Sequence, residues 1–186
     1  MAHDQPFDEI KESLKGVAAT LRDADVPFLL GGGLAAWAWG GPATGHDLDL
    51  MVKPEDADRA LDALEAAGMR TEKPPEGWLY KAWAGDILVD LIFRPVGRDV
   101  DDEMFERAGE FEVNAVPMQV MALEDVLVTK LLALDEHELD YERLVEFARS
   151  LRERIDWDDV RRRTEDSPYA RAFFTLVEEL GIVERV

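Results

Sequence analysis

Residues 28–52, FLLGGGLAAWAWGGPATGHDLDLMV, constrain the fold more than any other stretch of the chain. An apolar run, Phe28-Leu29-Leu30, meets Gly31, Gly32 and Gly33. Small apolar residues follow from Leu34 to Trp39, then the turn former Gly40-Gly41-Pro42, then Asp47-Leu48-Asp49-Leu50. Glycines permit the backbone geometry that ends a strand abruptly, so this pattern predicts strand, glycine turn, helix, loop and strand. In the second strand Asp47 and Asp49 stand two apart, so both side chains leave one face, roughly 7 Å from each other. Carboxylates at that spacing repel unless positive charge lies between them. A divalent cation is the simplest such charge, and hard oxygen ligands suit Mg²⁺, with Mn²⁺ an alternative.

A third acid, Asp90, stands alone inside Ile87-Leu88-Val89-Asp90-Leu91-Ile92-Phe93. A charge in so apolar a strand is costly without a partner. Trp78–Ala84 and Ile87–Phe93 flank Gly85-Asp86 and read as a hairpin with a tight turn.

The remaining elements follow from periodicity and punctuation. Residues 6–24 carry Phe7, Ile10, Leu14, Val17 and Leu21 at helical spacing. Pro54 to Ala67 has Pro at its start, acids in its first turn and Gly68 beyond its end, which predicts a crossover helix. Met69–Glu72 reads as a short strand, Asp101–Ala108 as a short helix, and Glu110–Val113 with Val116–Val120 as a small edge hairpin. From Ala122 the chain turns helical. The expected organisation is a catalytic-type α/β (α+β) domain over 1–121 and a helical region over 122–186 packed upon it.

Composition bounds the function. The chain has 186 residues and no cysteine, so disulfides and thiolate metal sites are excluded. It shows no membrane-spanning run and no signal-peptide pattern, so a cytoplasmic protein is expected. The formal net charge of −20 repels nucleic-acid backbones and anionic membranes, which disfavours a long nucleic-acid partner. The same acidity also serves solubility or a salt-rich host. Arg161-Arg162-Arg163 reads as a solvated face, with an RNA contact as its other reading.

Gly32-Gly33, thirteen intervening residues and Asp47-Leu48-Asp49 between apolar neighbours together resemble the signature of the DNA polymerase beta-like nucleotidyltransferase superfamily. That superfamily places a third carboxylate on a later strand of the same sheet, where Asp90 fits. The resemblance implies a small mixed sheet flanked by helices. It also implies Mg²⁺-dependent transfer of a nucleoside monophosphate from a nucleoside triphosphate to a hydroxyl. Asp47 and Asp49 would hold one ion on the phosphates and share a second with Asp90, in a two-metal mechanism. Gly32 and Gly33 lead into a helix start suited to phosphate, although a Gly-Gly pair also serves close packing. Thr44 is a candidate phosphate ligand or turn cap, and His46 a packing residue. Trp37 and Trp39 read as core and flank rather than as a base-stacking platform.

Lys130 lies on the apolar stripe Leu123, Leu127, Leu131 and Leu134. It either snorkels outward or points at an anion such as nucleotide phosphate. Relatives often carry an arginine in the loop here formed by Gly40–Thr44, which has none. Superfamily members act on antibiotics, nucleic-acid ends, proteins and small metabolites, and some belong to toxin–antitoxin pairs. The charge favours a small-molecule or protein acceptor. The alternative is a non-catalytic binding protein on the same fold, such as an antitoxin or regulator.

Overall fold

In a computed structural model, the described residues are 5–42 and 47–185. Among them seven strands form one mixed sheet, order β3-β4-β5-β2-β1-β7-β6. The strands are β1 (Leu29–Leu30), β2 (Asp47–Met51), β3 (Arg70–Glu72), β4 (Leu79–Ala84), β5 (Ile87–Ile92), β6 (Gly109–Val113) and β7 (Val116–Val120). β2 runs parallel to β5 and antiparallel to β1, while β1 runs parallel to β7. The second hairpin lies at one edge of the sheet, as expected. β7 enters the sheet beside β1, and β6 alone forms that edge.

Alternation along the strands separates two faces. Leu48 and Leu50 of β2 and Val89 and Leu91 of β5 point to one face and are fully buried. Helix α1 (Gln5–Asp23) covers that face with Ile10, Leu14, Val17 and Leu21, assisted by α3 (Ala57–Ala66) with Ala60, Leu61 and Leu64. A 3-10 turn over Pro54–Asp56 opens α3, its proline at a position where the missing N–H is harmless. α3 carries the chain from β2 to β3, two strands beyond the parallel neighbour β5.

The opposite face carries Asp47, Asp49 and Asp90, and here α2 (Gly32–Ala38) and α5 (Leu123–Leu132) take up position. Gly32 and Gly33 form the first turn of α2 rather than a loop before it. Trp39, at the C-terminal end of α2, donates its indole N–H to the Met121 carbonyl at 3.0 Å and meets the Phe111 ring edge-on. Trp37 is half-buried against the same core. Both tryptophans are thus packing residues.

α5 is buried nearly all round, through Leu123, Val126, Leu127, Val128 and Leu131, which marks it as a core helix. It packs against α2, α7 (Trp157–Arg163) and α8 (Pro168–Glu179), with α4 (Asp102–Arg107) and α6 (Tyr141–Leu151) nearby. One acid interrupts its apolar surface. Asp125 is 1% exposed and accepts two hydrogen bonds from Arg107, at 3.0 and 3.1 Å, and another from Arg163.

That clasp corrects the reading of Arg161-Arg162-Arg163 as a solvated face. Arg163 is drawn inward by Asp125 and also pairs with Asp159 at 3.0 Å. Arg161 lies 4.1 Å over the Phe174 ring and pairs with Glu178 at 2.6 Å. Arg162 alone of the three fits the expectation, at 70% exposure.

Candidate active site

The parallel pairing of β2 with β5 sets Asp49 directly beside Asp90. Asp47, two residues earlier, faces the same side one step along β2, where it is exposed. Asp49 is half-buried, and the Asp90 side chain is 15% exposed. Among the described residues, no three Asp, Glu or His side chains surround a single ion position. The register brings the acids onto one face without closing them into a preformed cage.

Asp90 is not alone, as its sequence neighbours suggest. The turn at Gly85-Asp86 pairs Lys81 of β4 with Asp90, and the Lys81 ammonium donates to Asp90 Oδ1 at 3.1 Å. Sequence reasoning placed this turn but did not count outward from it. Ala84 faces Ile87, so Lys81 must face Asp90.

Gly31 and Gly32 both crowd β2, and a Cβ on Gly31 would fall 2.8 Å from Met51 Cε. The Gly31 N–H donates to the Asp49 carbonyl at 2.8 Å, stitching the chain to β2 where the β1 pairing ends. Gly32 has φ +55°, and a Cβ there would fall 1.7 Å from Asp49 Oδ2. The Asp49 carboxylate fills the space that the missing side chain leaves.

Burial pushes the Asp49 carboxyl up to about 6, and the neighbouring Asp90 and Asp47 charges push the same way, while Lys130 and Lys81 oppose them. Asp90 is also raised, by burial first, with the Lys81 hydrogen bond and charge holding it down. Burial is thus the main cost of ionising both carboxyls, and Lys81 and Lys130 offset it in part.

Above the acids lies a cleft of about 350 Å³. Gly33, Asp47 and Asp49 form its floor, with Pro42 beside them. The opposite wall comes from the helical region: Lys130 from α5, and Arg143, Leu144 and Phe147 from α6. Leu134, Glu138 and Asp140 close the rim between these helices. Lys130 is exposed toward the cleft, so its head is turned to the site and away from the core. Arg143 is 76% exposed and tied only loosely, its Nε 3.4 Å from Asp140 Oδ2. The sequence reading missed Arg143, because its place depends on how α6 folds back over the sheet. Thr44 and His46 lie outside the described residues.

A family profile described as an uncharacterised nucleotidyltransferase matches residues 10–178. The chain belongs to this nucleotidyltransferase family. No curated protein sequence matches it.

Solved structures of similar fold are also nucleotidyltransferases. The antibiotic-resistance factor ANT(2'')-Ia, in complex with adenylyl-2''-tobramycin, aligns with a TM-score of 0.64 at 15% identity, over 90% of this chain and 98% of that one. A putative nucleotidyltransferase from Thermotoga maritima aligns with a TM-score of 0.54 at 19% identity, over 78% and 92% of the two chains. The lincosamide antibiotic adenylyltransferase LnuA, with lincomycin bound, aligns with a TM-score of 0.52 at 12% identity, over 73% and 92%. At such identities the likeness is one of fold. This nucleotidyltransferase accordingly shares the α/β architecture expected from its glycine and aspartate pattern.

Proposed function

We propose that this chain transfers a nucleoside monophosphate from a nucleoside triphosphate to a hydroxyl on a small-molecule acceptor. One observation carries the reading: Asp47 and Asp49 floor a cleft whose facing wall presents Lys130 and Arg143, and Asp90 stands beside Asp49 on the same sheet face. Opposed acids and bases at that scale suit a phosphate chain carried with a cation. A cleft of about 350 Å³ is of small-molecule size. The relatives of like fold that hold adenylyl-2''-tobramycin and lincomycin support an acceptor of that class over a protein.

The donor set fits a hard divalent cation such as Mg²⁺ or Mn²⁺, because Asp47 and Asp49 offer carboxylate oxygens and Asp90 adds a third acid beside them, whose mutual repulsion a cation would relieve. Asp47 and Asp49 would hold that cation, which when bound neutralises phosphate charge and so favours attack at phosphorus. Lys130 and Arg143 bind the outer phosphates, Arg143 serving where the Gly40–Thr44 loop lacks an arginine. The N-terminal turn of α2, at Gly32 and Gly33, lies against the phosphates. Asp90 takes the proton of the acceptor hydroxyl, a base whose proton affinity burial has raised. The hydroxyl oxygen bonds to the α-phosphorus, the bond from that phosphorus to the bridging oxygen breaks, and pyrophosphate leaves.

Calorimetry with each of the four nucleoside triphosphates, with and without Mg²⁺, tests this on the wild type and Asp47→Asn. The expected result is metal-dependent binding of at least one nucleotide, lost in the variant. Absence of binding to every nucleotide would overturn the proposal and turn the search toward a protein partner of antitoxin or regulator type.

A further inference from the structure

The two-metal arrangement implied by the sequence resemblance requires Asp90 to share an ion with Asp49. The structure gives Asp90 another cation. Lys81, Asp90 and Asp49 form one row across β4, β5 and β2, each the register partner of the next. The Lys81 ammonium is fixed there by strand pairing and by its 3.1 Å hydrogen bond to Asp90 Oδ1. Its side chain is 29% exposed, so it lies along the sheet face and not out in solvent.

We infer that Lys81 is a built-in positive charge that takes the place of a second metal ion at Asp90, leaving one divalent cation on Asp47 and Asp49. The inference rests on the nucleotidyltransferase reading above and concerns the number of ions within it. Three features support it. Lys81 already engages an oxygen that a second ion would need. Its ammonium would repel a dication held on the same carboxylate at close range. Finally, no third acid or histidine among the described residues completes a cage around Asp90. Lys81 is thus a positioning residue: it keeps Asp90 ionised and oriented without itself touching substrate.

The test counts bound Mn²⁺ by electron paramagnetic resonance, with a non-hydrolysable nucleoside triphosphate analogue present. The wild type is expected to bind one ion per chain and Lys81→Met two, the second ion entering where the ammonium was removed. Two ions on the wild type, or one ion on a folded Lys81→Met, overturns the inference. Because Lys81→Met strips a half-buried carboxylate of its partner and can unfold, Asp90→Asn in the unaltered Lys81 background gives a second reading. Its Mn²⁺ count should stay at one, and loss of an ion there overturns the inference equally. Asp49→Asn separates this outcome from failure of the parent reading. If Asp49→Asn leaves Mn²⁺ binding intact, the proposed site itself is wrong; if it abolishes binding, only the ion count is at issue.

Discussion

At Gly32 two demands coincide: a positive φ of +55°, and a carboxylate where any Cβ would lie. Gly32→Ala must therefore strain the backbone and displace Asp49 together. Misplacing a reacting group by about an ångström costs on the order of 100-fold. The variant should lose at least that much in kcat/KM and about 1–2 kcal/mol of stability, measured by steady-state kinetics and by chemical denaturation.

Asp49 makes a second prediction at this scale. Its carboxyl titrates near 6 in the folded chain, above its ordinary value of 3.8. The folded state thus binds this proton more tightly than the unfolded state does. The contribution of the group to stability is present below the unfolded value and is lost as pH rises through about 6. The shift corresponds to at most about 3 kcal/mol by pH 8. In metal-free buffer Asp49→Asn should therefore melt higher than the wild type at pH 8, with the gap closing toward pH 4. Thermal unfolding across that range checks it, and a variant that melts lower at pH 8 would contradict it.

Among the elements, the two hairpins show how local rules acted. Gly85 supplies the positive φ that the β4–β5 turn needs, but the β6–β7 turn places Asn114 at φ +50° and Ala115 at φ +61°. Asparagine tolerates that region, and alanine pays a steric cost there. Ala115→Gly should raise stability by about 0.5–1 kcal/mol, read as a higher denaturant midpoint with an unchanged slope. Strands and helices were legible from the sequence because alternation and 3.6-residue spacing are local signals. So were Asp47, Asp49 and Asp90, whose shared face follows from a period of two and one parallel pairing. Lys81 was legible too, by counting back from Gly85-Asp86, although its significance appears only when the register is written out. Arg143 and Arg163 were not. Each depends on where a distant helix comes to rest, and Arg163 meets an acid 38 residues away.

For the whole molecule, the sheet and the C-terminal helices share one hydrophobic core, and Asp125 joins them through Arg107 on one side and Arg163 on the other. Removing a buried carboxylate from such a cluster leaves two partly covered guanidinium groups without their anion. Asp125→Ala should cost roughly 3 kcal/mol, whereas Arg163→Met, which keeps the Arg107 pair, should cost less. Equilibrium unfolding of both variants would reverse this account if Arg163→Met proved the more damaging.

The β4–β5 turn has a consequence of its own. The cross-strand position of Lys81 depends on the number of residues in that turn far more than on their identity. One added residue would slip the pairing and send Lys81 to the opposite face of the sheet, among Leu48 and Leu91. Asp90 would then face solvent and substrate with no cation. Homologous chains are thus expected to keep the two-residue length of this exposed bend and the positive φ of Gly85, while Asp86 is free to vary. A surface loop roughly 13 Å along the strand from the aspartates would carry a reading-frame-like constraint that belongs to the chemistry.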